Sequence, residues 1–375
     1  MGHENHEPAA LSVALIGSRG IPARYGGFET LLENLAVRLT RAGVAVTVYC
    51  RAHETPRALR EHHGARLVVL PTVRSKYLDT PVHTLLSCFH ATRQGFDAAL
   101  VVNSANVFFV PILQTAGIPV ALNVDGLEWR RAKWGPLGRW IYRLAELLSS
   151  GVPDALITDA RTTQRHYRER HGVDSHFIPY GVEPQPLPAG EWLRKLGVSS
   201  RRYFLFVGRF EPENNPHRIV EAYRRVPGDL PLVMVGDAPY PTREIEAMRR
   251  TEDPRVRFPG AIYGEGYREL LSHALAYVQA KEVGGSHPAL VEALGYGVCP
   301  VVHDTPENRE VVGDAGFYFD IREPASLARR LDWVRRNPEA AAERGRRAAT
   351  RALELYSWDR VADAYHKLLQ RLCAS

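Results

Sequence analysis

The sequence predicts an α/β protein built from two doubly wound parallel-sheet domains. Three observations carry this. Short, continuous apolar runs recur along the first half, and such runs suit a parallel sheet buried on both faces. Segments with helical spacing lie between them, as in Leu31, Leu32, Leu35 and Leu39, which is the alternation a doubly wound fold requires. A proline- and glycine-rich stretch, FIPYGVEPQPLPAG at 177–190, then interrupts the pattern, and the same alternation restarts after it.

Taken in order, strands are expected at SVALIG (12–17), VAVTVYC (44–50), ARLVVLP (65–71), DAALVVN (97–103), PVALNV (119–124) and DALIT (154–158). After the linker they are expected at YFLFVG (203–208), PLVMVG (231–236), VRFPG (256–260), AYVQA (276–280) and CPVVH (299–303). The domains are accordingly 1–180, with 1–10 a loose tail, and 181–355. A closing segment, 356–375, carries a helix from Trp358 to near Leu372, whose apolar Val361, Ala364, Leu368 and Leu369 are expected to pack back on the first domain. Two facing Rossmann-like domains enclose a deep cleft at the carboxyl ends of their strands, where ligands of such sheets bind.

A chain of 375 residues accommodates two domains of roughly 180 residues each. Residues 1–180 hold 20 Lys+Arg against 15 Asp+Glu, net +5, and residues 181–375 hold 28 against 27, net +1. The basic half suits an anionic ligand or an anionic membrane surface, and equally a plain Arg-rich surface; no nucleic-acid partner is expected. No apolar run reaches the roughly 18 residues of a membrane span, and MGHENHEPAA lacks a signal-peptide core. Cys50, Cys88, Cys299 and Cys373 are scattered, so neither a zinc site nor a disulfide framework is indicated and a reduced, cytoplasmic protein is expected. His62, His63, His166, His171 and His176 show no ligand spacing and read as surface or packing residues.

Chemistry is expected in two loops. The first holds Gly17, Gly20, Gly26 and Gly27 between a strand and a helix. It is neither a dinucleotide fingerprint nor a Walker loop: the G-x-G-x-x-G spacing is absent, no acidic residue closes the next strand (Tyr49, Cys50 and Arg51 stand there), and no Gly-Lys-Ser/Thr follows. Gly26 and Gly27 open a helix whose N–H groups can meet a phosphate, although the loop alone is read equally well as a turn. The second loop lies in AYVQAKEVGGSHPALVEALGYGVCPVV (276–302), where Gly285, Ser286 and His287 precede a helix that contains Glu292. Backbone N–H groups there suit a diphosphate, and a carboxylate between the apolar Leu290, Val291, Ala293 and Leu294 can accept hydrogen bonds from both hydroxyls of a ribose.

These segments resemble the retaining nucleotide-sugar glycosyltransferases of family four, which have the GT-B fold, and within them the bacterial rhamnosyltransferase subgroup. The match is carried by GSRGIPARYGGFET (17–30), NVDGLEWRRAKW (123–134), FIPYGVE (177–183), VGRFEPENN (207–215), VGGSHPALVEAL (283–294) and HDTPENREVVGDAGFYF (303–319), with SWDRVADAYHKLL (357–369) similar to the closing helix of GT-B enzymes. The resemblance implies that Gly26, Gly27 and Arg209 approach the donor diphosphate, that Glu292 holds the ribose, and that Phe258 to Ile262 lie at the nucleobase. Three positions depart from the family pattern. Asn214 and Asn215 replace a lysine, which leaves diphosphate charge to Lys281 or to Arg19 and Arg24. Gly284 replaces a glutamate, with Glu282 nearby, and Asp125 replaces a histidine. These read as a subgroup variant.

Asp125 at a strand end is expected either to orient a hydroxyl or receive the acceptor proton, or simply to cap the next helix. Arg24, Tyr25, Glu128, Arg130 and Arg131 are the acceptor-side candidates. The stretch WRRAKWGPLGRWIYRL (129–144) is read either as core or as a surface for a membrane that bears a lipid-linked acceptor, which would make the protein peripheral on the inner face of the plasma membrane. The resemblance implies transfer of a deoxyhexose, L-rhamnose from dTDP-L-rhamnose, with retention, onto a hydroxyl of a saccharide or glycolipid. Arg209 and the loop amides would stabilise the leaving diphosphate. The GT-B resemblance implies no divalent metal, and no Asp-x-Asp closes a strand, so no metal and no cofactor beyond the nucleotide-sugar co-substrate is expected. The alternatives are another nucleotide sugar acting on a natural-product acceptor, a nucleotide-sugar epimerase, and an inactive nucleotide-sugar binder.

Overall fold

A computed structural model describes residues 11–374 apart from 24–25, 76, 132–133 and 239–242. By their contacts the residues form two compact units. One holds 134–179, the chain before Arg130 and the closing segment Trp358–Ser375; the other holds Tyr180–Ser357 together with Arg130 and Arg131.

The first unit is built on eight strands: β1 (Ser12–Ile16), β2 (Ala45–Arg51), β3 (Glu61–His62), β4 (Ala65–Leu70), β5 (Ala98–Val102), β6 (Val120–Asn123), β7 (Ala155–Thr158) and β8 (His176–Phe177). They stand in the order β3-β4-β2-β1-β5-β6-β7-β8. All pairs are parallel except the β3–β4 hairpin. The apolar runs are buried on both faces because helices cover both sides. Strand order reverses between β1 and β5, so loops at their carboxyl ends diverge and leave a crevice. The helix Gly27–Arg41 turns Leu31, Leu32, Leu35 and Leu39 inward and ends on Arg38 and Arg41, cations that suit a helix C-terminus. β3 and β8, at two residues each, show no periodicity in the sequence, and β8 lies at the edge of the stretch read as linker.

The closing helix, Trp358–Cys373, buries Trp358, Val361, Tyr365, Leu368 and Leu369 in this first unit. Asp359 pairs with Arg38 at 2.8 Å, and Cys373 Sγ donates to the Asp97 carbonyl at 3.4 Å.

The second unit repeats the plan with six parallel strands: β9 (Phe204–Val207), β10 (Leu232–Val235), β11 (Val256–Gly260), β12 (Ala276–Gln279), β13 (Cys299–His303) and β14 (Phe317–Phe319). Their order is β11-β10-β9-β12-β13-β14, which puts the reversal between β9 and β12. β14 is the strand the sequence reading left out, a three-residue edge strand. No described helix is long and apolar enough to cross a membrane.

Candidate active site

In the second unit, the loops after β9 and β12 lie on either side of the reversal and are tied to each other. Asn215 Nδ2 donates to the Ala280 carbonyl and to Glu282 Oε2, both at 3.0 Å, and the Glu282 N–H donates to the Glu213 carbonyl at 3.0 Å. Asn214 Nδ2 donates to the Arg209 carbonyl at 2.7 Å. Of the asparagines that replace the family's lysine, Asn215 thus ties the two loops together and Asn214 braces the β9 loop internally. Arg209 lies two residues beyond β9, half-exposed, with its guanidinium 3.0 Å from Glu211 Oε1. A bound diphosphate would compete with that carboxylate for the planar fork. Glu211, which the sequence alone does not single out, is a further candidate for this site. So is Glu213, a buried carboxylate with no hydrogen-bond partner for either oxygen among the described residues.

The β12 loop carries Lys281, Gly284, Gly285, Ser286 and His287. Gly284 has φ +144°, and a Cβ there would meet Lys281 Nζ at 3.0 Å and His287 Cε1 at 3.1 Å. A side chain at this position, such as the glutamate common in the family, would therefore be strained by the backbone conformation and would press on Lys281 and His287. Ser286 and His287 are buried. Burial, followed by the charges of Lys281 and Arg131, holds His287 well below the ordinary imidazole value, so it is neutral at physiological pH. Its Nδ1 is buried without a hydrogen-bond partner among the described residues. His287 opens the helix Pro288–Gly295.

One turn into that helix, Glu292 Oε2 accepts from the Tyr267 hydroxyl at 2.5 Å. Burial pushes the Glu292 carboxyl above its ordinary range, and the Tyr267 hydrogen bond offsets part of the rise. Its neighbours Leu290, Val291, Ala293 and Leu294 are fully buried, so the carboxylate stands fixed at the rim of an apolar wall. Phe258, in β11, packs edge-on against Phe210 with ring centroids 6.2 Å apart. The Ile262 side chain is part of the core, so at that position the loop offers a base its backbone.

In the first unit, Gly26 is the N-cap of the helix Gly27–Arg41. Glu29, buried in the first turn, accepts from the Arg19 N–H at 2.8 Å, and its other oxygen would touch a Cβ on Gly26. The loop is thus bound to its own helix start by an internal carboxylate. Gly17 (φ +107°) could not carry a side chain either: a Cβ would lie 2.5 Å from the Val102 carbonyl oxygen. Arg24 and Tyr25 lie outside the described residues. Asp125 follows β6 in a left-handed conformation (φ 58°), and its N–H donates to Asn123 Oδ1 at 3.0 Å. Glu128 accepts from Trp134 Nε1 at 3.4 Å. Arg130 and Arg131 group by their contacts with the second unit, where Arg131 is buried and adds to the positive field at His287.

His166 and His171, read from the sequence as surface or packing residues, converge on Glu146. Each Nε2 lies 2.8 Å from Glu146 Oε1, while Trp129 Nε1 donates to Oε2 at 2.6 Å. Burial alone would raise the Glu146 carboxyl; the histidine and tryptophan contacts outweigh it and hold it low.

Family profiles divide the chain as the two sheets do. One described as Glycosyltransferase Family 4 matches residues 25–186, and one described as Glycosyl transferases group 1 matches residues 190–351. The chain belongs to the group 1 and family 4 glycosyltransferases. This glycosyltransferase is 26% identical to "D-rhamnosyltransferase WbpZ" of Pseudomonas aeruginosa over 204 residues, 52% of the chain and 51% of that relative, so the match spans about half of either protein. It is 24% identical to "Alpha-maltose-1-phosphate synthase" of Mycolicibacterium smegmatis over 97% of the chain and all of the relative. Among solved structures it is similar to a sucrose-phosphate synthase from Thermosynechococcus elongatus (TM-score 0.80, 20% identity, 97% of this chain and 99% of that one). It is also similar to Anabaena HepE in complex with UDP and glucose (TM-score 0.77, 16% identity, 96% and 100%). These likenesses give the glycosyltransferase the GT-B fold.

Proposed function

We propose that this glycosyltransferase moves a rhamnosyl unit from a nucleoside diphosphate sugar, dTDP-L-rhamnose by the sequence reading, onto a hydroxyl of a saccharide or glycolipid, with retention at the anomeric carbon. The observation that carries the donor half is the β12 turn: Glu292 is fixed by Tyr267 for a ribose, with the Ser286–His287 helix start, Lys281 and Arg209 for a diphosphate. A 26% identical relative named as a rhamnosyltransferase supports the sugar class, and its D-configuration makes an NDP-D-rhamnose the second donor to test. The sequence singles out no carboxylate nucleophile for a covalent intermediate, so departure and attack are assigned to the same face of the sugar. The leaving diphosphate takes the acceptor proton, while Arg209 and the loop amides hold its charge. Asp125 orients the acceptor hydroxyl. No metal enters this reading.

Peripheral membrane contact is supported by one apolar face. On the helix Pro136–Ser149, Leu137 (70% exposed), Trp140 (60%), Ile141 and Leu147 face outward with Arg139 and Arg143 beside them. Phe89 and Phe108 are exposed on neighbouring elements of the same unit. Apolar anchors flanked by arginines suit an anionic leaflet that bears the acceptor.

The test is product analysis. The full chain is incubated with dTDP-L-rhamnose, NDP-D-rhamnose or UDP-glucose and a lipid-linked saccharide pool. Addition of a deoxyhexose in the product mass, with the donor's anomeric configuration by NMR, is expected. A hexose adduct overturns the rhamnosyl assignment, an inverted anomer overturns retention, and epimerised donor without transfer overturns the transferase reading.

A further inference from the structure

The first unit holds a second constellation with chemistry, separate from the residues assigned above to donor and acceptor. Glu146 projects from the helix Pro136–Ser149, and His166 and His171 project from the helix Arg161–His171. The three ligand-type atoms lie within 4.8 Å of one another. We propose that Glu146, His166 and His171 form a binding site for one divalent transition-metal ion, with zinc the ion that two imidazoles and a carboxylate favour.

Four features point the same way. Both histidines present Nε2 to the same carboxylate oxygen, at 2.8 Å each. Tetrahedral zinc, with bonds near 2.0–2.1 Å, separates ligand atoms by about 3.3 Å, so each Nε2–Oε1 pair needs to open by only about 0.5 Å to admit it. The other carboxylate oxygen is already taken by Trp129 Nε1 at 2.6 Å, which leaves Oε1 for monodentate ligation and supplies the outer hydrogen bond that fixes a metal-binding carboxylate. Glu146 is 7% exposed while His166 and His171 are 17% and 11% exposed, so the carboxylate is held in the protein and a solvent molecule can complete the coordination from the histidine side. The i, i+5 histidine spacing is unusual for one helix face. It works here because His171 is the last helical residue, before Gly172 turns into the left-handed region.

Such an ion would replace two hydrogen bonds with coordinate bonds and pin Trp129, the residue after Glu128 in the segment that begins at Asp125. It would serve as a staple for the acceptor-side loop and take no part in the chemistry. Zinc stabilises the folded chain by an amount that grows with the logarithm of free zinc above its Kd, because the unfolded chain does not assemble the site.

The experiment uses the full chain without a polyhistidine tag, freed of metal by a chelator. Calorimetric titration with zinc and visible absorption with cobalt are followed for the wild type, His166→Ala/His171→Ala and Trp129→Phe. One zinc per chain is expected, with the intense absorption of four- or five-coordinate cobalt. Both signals are lost in the double variant, and Trp129→Phe weakens affinity by about tenfold. No stoichiometric uptake by the wild type, or a cobalt spectrum no different from that of the hydrated ion, overturns the proposal and leaves a hydrogen-bonded triad. A cobalt spectrum unchanged in the double variant overturns it equally. If the double variant fails to fold, the wild-type spectrum alone decides.

Discussion

Asn123 and Tyr365 lie 242 residues apart and meet in a buried hydrogen bond of 2.6 Å, Asn123 Nδ2 donating to the tyrosine oxygen. The other end of the same amide receives the N–H of Asp125 at 3.0 Å. One side chain therefore links the closing helix to the residue assigned to the acceptor hydroxyl, and it does so where Asp125 needs support, because an aspartate at φ 58° is uncommon. Tyr365→Phe removes the acceptor and leaves a buried amide donor unsatisfied. The expected cost is about 1–3 kcal/mol of stability, with turnover reduced more than donor affinity. Thermal unfolding and a kcat-against-KM comparison check it; an unchanged kcat in a destabilised variant would show that the link serves packing alone.

Glu292 gives the donor site a pH dependence with a definite sign. Its folded-state carboxyl is raised by burial, so protonation begins at a pH above the ordinary carboxylate range. The ionised form accepts from two ribose hydroxyls and the protonated form does not, so nucleotide affinity falls as pH drops through that raised value. Tyr267→Phe removes the one contact that lowers it, and the fall then starts at higher pH. Calorimetry of nucleoside diphosphate binding across mildly acidic pH checks both shifts. His287, neutral throughout, contributes no step of its own near neutrality.

Gly236 ends β10 with φ +149°, and a Cβ there would fall 1.9 Å from the Gly208 carbonyl oxygen. Gly208 immediately precedes Arg209. Gly236→Ala is expected to push the ends of β9 and β10 apart, with a stability cost of about 2–4 kcal/mol and weaker diphosphate binding because Arg209 moves with the strand end. Denaturant unfolding together with UDP and dTDP titrations tests the pair. Loss of stability with unchanged affinity would separate the strand packing from the site.

The exposed face of the helix Pro136–Ser149 makes a prediction for lipid. Sedimentation with vesicles rich in anionic phospholipid is expected for the wild type, and Trp140→Glu/Ile141→Glu is expected to reduce it at least about tenfold. Equal sedimentation of both proteins, or none of the wild type, would contradict the membrane assignment.

What the sequence discloses follows from the range of the physics involved. The long strands of both sheets are legible because a parallel sheet buried on both faces demands an unbroken apolar run, as in Val13–Ile16 or Leu232–Val235. β8 and β14 carry too few residues for any period to show. Glu292 stands out because a lone acid among buried neighbours is a local anomaly. Asn214 and Asn215 appear in the sequence only as a missing lysine; that Asn215 laces two loops together depends on Ala280 and Glu282, 65 and 67 residues further on. Glu146, His166 and His171 are equally silent, since their partners lie 20 and 25 residues apart on different helices and match no ligand spacing.

A calorimetric titration of wild type and Glu292→Gln with dTDP-L-rhamnose, an NDP-D-rhamnose, UDP-glucose and GDP-mannose decides the donor assignment. Selective binding of a rhamnose nucleotide, weakened at least about tenfold by the substitution, is expected. Preference for UDP-glucose or GDP-mannose would contradict the donor assignment, and equal affinity in the folded Glu292→Gln protein would contradict the placement of the donor on the β12 turn.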